Sequence, residues 1–264
     1  MFLTEGMDMQ SKKLLNTLPD LTIVIPAYHE EKRIGKTLDE LAYYLKSDKD
    51  MRNKVIEVIV SAADTTDKTH EVVLSKQNQF SDLRLLRPGS KLGKGRDVQY
   101  GMLRARGKAV MFMDADLATP LRHLQVFYRA YQQGSDVVIA TRNLHKHHPN
   151  YLRRLLSNVG NFLFKIASGV WIEDTQCGFK LFSNEAAQLC FHKLTILDWG
   201  FDMEVLAIAK ANKLQIKTIR VNDWRHVSNG TFELNILTNF ANSFADLMKI
   251  SAKRIHKDYT SRPS

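Results

Sequence analysis

The sequence contains little cysteine and no long uninterrupted apolar run. Of its 264 residues, two are cysteines, Cys177 and Cys190, and they match neither a zinc-binding pattern nor a disulfide framework. A reducing cytoplasm is therefore the expected compartment. No apolar stretch approaches the ~20 residues that a membrane-spanning helix needs. Residues 1–19 also lack the basic start and apolar core of a signal peptide. We expect a soluble or peripheral protein.

Internal repeats and low-complexity tracts are absent as well, and the composition is that of a globular protein, 44% hydrophobic and 25% charged. The net charge of +10 suits nucleic acid, an anionic membrane or phosphorylated substrates. The basic residues collect around 142–165 and 249–257. Because neither an aromatic stacking surface nor a nucleic-acid-binding motif accompanies them, we do not expect nucleic acid as a partner.

The first half of the chain alternates short apolar strands with helices. The predicted strands are 21–26, 55–60, 83–86, 109–113 and 137–140. Helices are predicted at about 30–46, within 93–106 and near 121–132, with a short one after residue 68. This alternation indicates a parallel sheet covered on both faces, whose ligands bind beyond the carboxyl ends of the strands.

The second half has a different pattern, with helices predicted at 152–167 and 201–211 and strands at 179–182 and 214–221. A last helix, about 234–257, is amphipathic and basic. Its apolar side is predicted to comprise Ile236, Leu237, Phe240, Phe244, Leu247, Met248 and Ile255. Three roles fit this helix: covering the core, pairing with a second subunit as a homodimer, or lying on a membrane with its lysines toward anionic head groups.

Two aspartates follow the apolar strand that ends at Met113. Asp114 and Asp116 would emerge at the ligand-binding edge of the sheet, and both can face one cation if the chain leaves strand geometry there. Carboxylate oxygens suit Mg²⁺ or Mn²⁺, which also bind substrate phosphates. The other interpretation is a solvated acidic turn. The strand before the pair and the basic loops elsewhere favour a metal site.

Several ordered motifs identify the chain as similar to a known family. They are VIPAYHEE at 24–31, GKG at 93–95, DAD at 114–116, TR at 141–142, DTQCGFK at 174–180 and WGFDME at 199–204. In this order they resemble family 2 glycosyltransferases of the GT-A fold, close to the dolichyl-phosphate glucosyltransferases and polyprenyl-phosphate sugar synthases. The resemblance implies a Rossmann-like, mostly parallel sheet flanked by helices and followed here by the C-terminal amphipathic helix.

The resemblance also implies the reaction: transfer of a sugar, glucose from UDP-glucose, to a polyprenyl phosphate with inversion at the anomeric carbon. It implies a hexosyltransferase that uses Mg²⁺ or Mn²⁺, peripheral on the cytoplasmic face of a membrane. It divides the chain into a tail (1–20), a transferase domain (21–226) and the C-terminal helix with its tail (227–264). Within the transferase domain, residues 21–140 would bind the nucleotide sugar and residues 141–226 the acceptor.

The predicted site residues fall into two groups. The resemblance implies that the donor is bound by Pro26, Tyr28, Glu30, Lys94, Asp114 and Ala115. The basic residues Arg142, Arg153 and Lys180 suit the acceptor phosphate, which is already ionised and needs cations more than a strong base. Asp174, Asp202 or Glu204 could act as a base or orient one.

One departure from the family pattern concerns the nucleotide base. Ala62 and Ala63 stand where the family usually carries a pair of acids, one of which binds the base, and Asp64 or Asp67 could substitute. Because of these alanines, a catalytically silent nucleotide-sugar-binding protein stays open as an alternative. A family 2 enzyme that acts on a glycan or another soluble acceptor is the other alternative.

Overall fold

The computed structural model of the chain describes residues 18–142, 165–166, 168–172, 174–225 and 236–260. These residues contain the strands β1 (Leu21–Ala27), β2 (Ile56–Ala62), β3 (Leu83–Leu86), β4 (Ala109–Met113), β5 (Val137–Arg142), β6 (Phe179–Ser183) and β7 (Ile216–Val221). The helices are α1 (Ile34–Ser47), α2 (Thr69–Ser75), α3 (Lys94–Met102), α4 (His123–Gln132), α5 (Asn184–His192), α6 (Phe201–Ala211) and α7 (Ile236–Ile255).

The described strands form one sheet in the order β3-β2-β1-β4-β6-β5-β7. β6 runs antiparallel to both of its neighbours, and the other pairings are parallel. All residues of β1, β2 and β4 are buried, as expected for apolar strands covered by helices on both faces. The predicted α/β architecture with a mostly parallel sheet is confirmed.

This topology brings several strand ends to one edge of the sheet. The carboxyl ends of β1, β2, β4 and β5 lie there, and so does the start of β6, because that strand runs the other way. From β1 the sheet extends through β2 on one side and β4 on the other, so that the order reverses between β1 and β4. Sheets of this kind bind ligands at such a point.

Several predicted boundaries differ from those observed. α1 begins at Ile34 rather than near Glu30, because residues 31–33 form a turn. α5 was not predicted from the sequence; its N-cap residue Ser183 accepts a hydrogen bond from the Ala186 amide (3.2 Å). Most of the helix predicted at 152–167 lies outside the described residues.

The C-terminal helix packs partly on the core. Leu247 and Ile250 are buried against it. Met248 and Ile255, which were predicted on the same apolar side, are exposed. Side chains of the helix before Ala245 lie outside the described residues. Within the described ranges, no helix combines the length and the apolar character needed to span a bilayer.

The buried carboxylate of Glu204 links this C-terminal region to the rest of the domain. It accepts hydrogen bonds from the amides of Thr195 (2.8 Å) and Ile196 (2.6 Å). It also accepts one from the hydroxyl of Tyr259 (3.1 Å), and Lys253 pairs with it at 3.3 Å. These partners satisfy a charge that would be costly to bury alone. Glu204, which the sequence offered as a base, is committed to this network.

Candidate active site

The acidic pair follows β4 at the point where the sheet order reverses. β4 ends at Met113, and the chain turns so sharply that Leu117 adopts φ 53°. The Ala118 amide donates to Asp116 Oδ1 (2.9 Å), which fixes that carboxylate. The backbone therefore leaves strand geometry at the pair, as a shared cation site requires. Burial, and next the charge of Asp114, raise the pKa of Asp116.

Two neighbours hold the carboxylate of Asp114 in place. Lys94 Nζ lies 2.5 Å from its Oδ1. On another side Gly178 leaves room for the carboxylate, since a Cβ at that position would overlap it. Gly178 also accepts the Asp114 amide hydrogen at its carbonyl oxygen (3.0 Å). The start of β6 therefore shapes the space beside the acidic pair.

Two adjoining cavities share Asp114 and Asp116. The large cavity, about 630 Å³, extends over the ends of β1 and α3. The small cavity, about 70 Å³, extends toward β5 and the segment before β6. A volume of several hundred Å³ is typical of a small-molecule site. The acidic pair thus stands between a space for a large ligand and a space for a small group.

The large cavity brings together nearly all the predicted donor residues. Its wall includes Pro26, Tyr28, Glu30, Lys94, Asp114 and Ala115. Lys91 Nζ lies 3.8 Å from the centre of the Tyr28 ring. Burial raises the pKa of Glu30, Arg33 opposes the shift, and the acidic pair adds to it. A cation bound nearby would favour the ionised form of these carboxylates.

Lys94 is presented by a tight loop at the start of α3. Gly93 adopts φ 134°, and a Cβ there would overlap Leu197 O. A Cβ at Gly95 would overlap Phe201 in the same way, so the two glycines allow close packing of the loop against residues 197–201. This packing sets Lys94 Nζ 5.2 Å from the Trp199 ring centre, in the wall of the large cavity.

The acids predicted to replace those missing at 62 and 63 do not reach this cavity. Asp64 is exposed and absent from the cavity wall. Although burial acts against ionisation, hydrogen bonds from Thr69, Thr65 and Glu31 lower the pKa of Asp67 to about 2, so this carboxylate is committed to its loop. Another acid, Asp97, does line the cavity. Asp97 was not predicted from the sequence, because an acid in the first turn of a helix is equally common on an exposed surface.

The small cavity contains Arg142, held by Asp174. The guanidinium donates to both carboxylate oxygens (Nε at 2.6 Å and Nη2 at 3.0 Å), and the Arg142 amide donates to Oδ2 (3.0 Å). Burial disfavours the charged guanidinium, but the bonds to Asp174 outweigh it and raise the pKa of Arg142. These contacts hold the carboxylate of Asp174 against the guanidinium and the amide of Arg142.

Lys180 lies in the core rather than in either cavity. Its side chain has no exposed surface. Its ammonium donates to Cys177 O (2.7 Å) and to the carboxylate of Asp202. Because the ammonium is buried and paired with Asp202, direct contact with an acceptor would require it to leave that carboxylate. Arg153, also predicted to bind acceptor phosphate, lies outside the described residues.

The carboxylate oxygens of the acidic pair are suitable ligands for a hard divalent cation. Two carboxylates, both partly accessible, converge where the two cavities meet. Within the described residues, no cluster of three or more His, Cys, Asp or Glu side chains forms a closed metal cage. A pair of carboxylates that leaves positions to water and substrate phosphate is the arrangement typical of Mg²⁺.

Comparison with known proteins identifies the family. The model of the family described as "Glycosyl transferase family 2" matches residues 22–191. A protein of Trichomonas vaginalis named dolichyl-phosphate beta-glucosyltransferase ALG5A is 34% identical over 240 residues, covering 88% of this chain and 72% of that protein. The chain belongs to glycosyl transferase family 2. The expectation of a hexosyltransferase is confirmed by the family and by the names of its relatives.

Other family 2 relatives carry the same name. The human dolichyl-phosphate beta-glucosyltransferase is 31% identical over 222 residues, covering 78% of this chain and 68% of that protein. Among solved structures, glucosyl-3-phosphoglycerate synthase from Mycobacterium tuberculosis with Mn²⁺, UDP-glucose and phosphoglyceric acid superposes with a TM-score of 0.62 at 15% identity. That match covers 96% of this chain and 86% of the other. It confirms the GT-A fold.

Proposed function

We propose that this family 2 enzyme transfers glucose from UDP-glucose to a polyprenyl phosphate of the dolichyl type, with inversion at the anomeric carbon and with the help of Mg²⁺ or Mn²⁺. The observation that carries the proposal is the small cavity, where an oriented guanidinium faces the space beside the acidic pair. The names of the relatives support the sugar and the acceptor. The metal and UDP-glucose in the solved structure of the same fold support the cofactor and the donor.

In this proposal the nucleotide occupies the large cavity, where the Tyr28 ring and Lys94 line the wall. Asp114 and Asp116 would hold the divalent cation, which offsets the negative charge that develops on the departing diphosphate. Lys94, already paired with Asp114, adds positive charge beside the same group.

The acceptor phosphate occupies the small cavity. Asp174 engages Nε and Nη2 of Arg142, which fixes the plane of the guanidinium before any ligand arrives. Arginine binds phosphate through directed, charge-assisted hydrogen bonds. Because the attacking phosphate oxygen is already ionised at neutral pH, the site needs no strong base. Lys180 and Asp202 then act as positioning residues beneath the segment that carries Gly178.

We further propose that residues 21–140 bind the donor and residues 141–226 the acceptor. Both parts contribute strands to one sheet, and the acidic pair lies between them. A lipid acceptor would place the enzyme peripherally on the cytoplasmic face of a membrane, with the basic segment 227–264 toward the anionic head groups. A homodimer built through that segment stays a prediction.

The test is transfer of labelled glucose from UDP-glucose to a short polyprenyl phosphate in detergent, with Mn²⁺ or with EDTA. The control acceptors are the same polyprenol without phosphate and phosphoglycerate. We expect metal-dependent transfer to the lipid phosphate alone. Transfer to phosphoglycerate would replace the lipid acceptor by a soluble one. Donor binding without transfer to any phosphate would support the silent binding protein instead.

A further inference from the structure

The side chain of Asp97 is buried in the wall of the large cavity, and the reaction described above gives it no role. The residue is 3% exposed and lies in the first turn of α3. Its Oδ1 has no hydrogen-bond partner among the described residues. A buried carboxylate oxygen without a partner is costly, and such atoms in native proteins commonly await a ligand or water.

The position of Asp97 relates it to the alanines at the end of β2. α3 packs across β1 and β2, and a Cβ on Gly101 would lie 2.4–3.6 Å from atoms of Val24 and Ser61. Asp97 precedes Gly101 by one helical turn on the same face, toward the edge where β2 ends. Ala62 and Ala63 offer no polar side chain at that edge. Asp97 therefore places a carboxylate toward the edge of the sheet at which these two alanines provide none.

Two cations lie near Asp97 but form no ion pair with it within the described residues. Arg96 donates to Pro88 O (3.1 Å), and Lys91 lies over the Tyr28 ring. Burial raises the pKa of Asp97 to about 7, although Arg96 and Lys91 act in the other direction. The carboxyl group can therefore lose its proton at neutral pH when a hydrogen-bond donor is offered to it.

We propose that Asp97 selects the nucleotide base, by accepting a hydrogen bond from a ring N–H of the kind that uracil carries at N3 and guanine at N1. The inference rests on the proposed function, because it takes the large cavity as the donor site. Cytosine and adenine present a ring-nitrogen lone pair where uracil and guanine present this N–H. An ionised carboxylate repels that lone pair. Asp97 thus contacts the base from α3, in place of an acid at position 62 or 63 at the end of β2.

The experiment measures binding of UDP and CDP with Mn²⁺ by calorimetry, for the wild type and for Asp97→Asn and Asp97→Ala. We expect the wild type to prefer UDP by roughly 10-fold or more, the scale of one buried polar group left unpaired. Asparagine has the same shape and can turn its oxygen to uracil or its N–H to cytosine. Asp97→Asn should therefore bring the UDP to CDP affinity ratio close to one. Asp97→Ala should lower UDP affinity and leave CDP affinity unchanged or higher.

The pH dependence of the same ratio gives a readout that a structural role would not produce. As the pH falls from 8.5 to 6, the carboxyl group of the wild type gains a proton and can donate to cytosine, so the preference for UDP should decline. The diphosphate groups of UDP and CDP titrate alike, so their protonation cancels from the ratio of the two affinities. In Asp97→Asn the ratio should not change with pH.

Three results would overturn the inference. If Asp97→Ala lowers the affinities for UDP and CDP equally, the carboxylate contacts the ribose rather than the base. Unchanged affinities in both variants, with wild-type melting temperatures, would show that the carboxylate faces no part of the nucleotide. In either case glucosyl transfer to the lipid phosphate by the wild type would leave the proposed function intact. If the wild type binds neither nucleotide, the proposed function fails together with the inference.

Discussion

The ion pair between Arg142 and Asp174 offers the sharpest test of how the acceptor is held. We predict that Asp174→Asn lowers stability and acceptor affinity together. The carboxylate side chain is 2% exposed and the guanidinium 21% exposed, with contacts of 2.6 and 3.0 Å. Breaking one side of a buried pair costs about 3–5 kcal/mol. Because water still reaches one side of Arg142, we expect the lower end, about 3 kcal/mol.

For a chain of this size, 1 kcal/mol corresponds to roughly 2–4 °C in melting temperature. The predicted fall is therefore about 6–12 °C by calorimetry or thermal fluorescence. The matched control is Glu40→Gln, which breaks the exposed pair of Lys36 and Glu40 (3.7 Å, side chains 81% and 46% exposed). An exposed pair of this kind contributes at most about 1 kcal/mol, so its melting temperature should hardly move.

Kinetics separate an orienting role of Asp174 from a role as base. Loss of orientation should raise the acceptor Michaelis constant, because the guanidinium is no longer fixed, and should leave donor affinity unchanged. Loss of a general base should instead lower turnover by about 10²–10⁴-fold with the acceptor constant and the melting temperature unchanged. The second pattern would refute the reasoning.

Three further predictions follow from neighbouring residues. Asp116→Asn should abolish transfer and weaken Mn²⁺-dependent UDP binding, because it removes a cation ligand; near-normal turnover at saturating donor would contradict the metal assignment. Gly178→Ala should displace the carboxylate of Asp114 and raise the Mn²⁺ concentration needed for half-maximal activity, and an unchanged requirement would show that the loop yields. Lys180→Met should lower stability by about 3–5 kcal/mol, because Asp202 is left buried without its counter-charge. Replacing Asp202 by Leu as well should recover part of that loss in thermal melting, and no recovery would show that the pair is not the reason for it.

The position of the acidic pair, and of the residues predicted to bind the donor, at one edge of the sheet was predictable because local signals decide it. An apolar strand followed by Asp114 and Asp116 places both carboxylates at the carboxyl edge of any parallel sheet, whatever the strand order. Pro26, Tyr28 and Lys94 reach the same edge for the same reason. Short-range periodicity is sufficient for such residues, since helix and strand alternate along the chain.

Lys180 and Asp97 required knowledge that local patterns do not contain. The insertion of β6 between β4 and β5 is a long-range pairing that places Lys180 in the middle of the sheet. There its side chain meets Asp202 of α6, so that an apparent surface cation is a core residue. Asp97 sits in the first turn of a helix, where acids are common on exposed surfaces. Its burial depends on the packing of α3 against two strands that lie far away in the sequence.

The Glu204 network connects the last residues of the described chain to the wall of the large cavity. The amides of Thr195 and Ile196 and the hydroxyl of Tyr259 share one carboxylate, and residues 197–199 continue directly into the loop that packs on Gly93. Opening of the C-terminal helix would release that segment. The amide hydrogens of α7 and of residues 195–199 should therefore exchange with solvent as one cooperative unit. A truncation before Tyr259 would therefore loosen the packing of the wall of the large cavity, although the deleted residues do not line it.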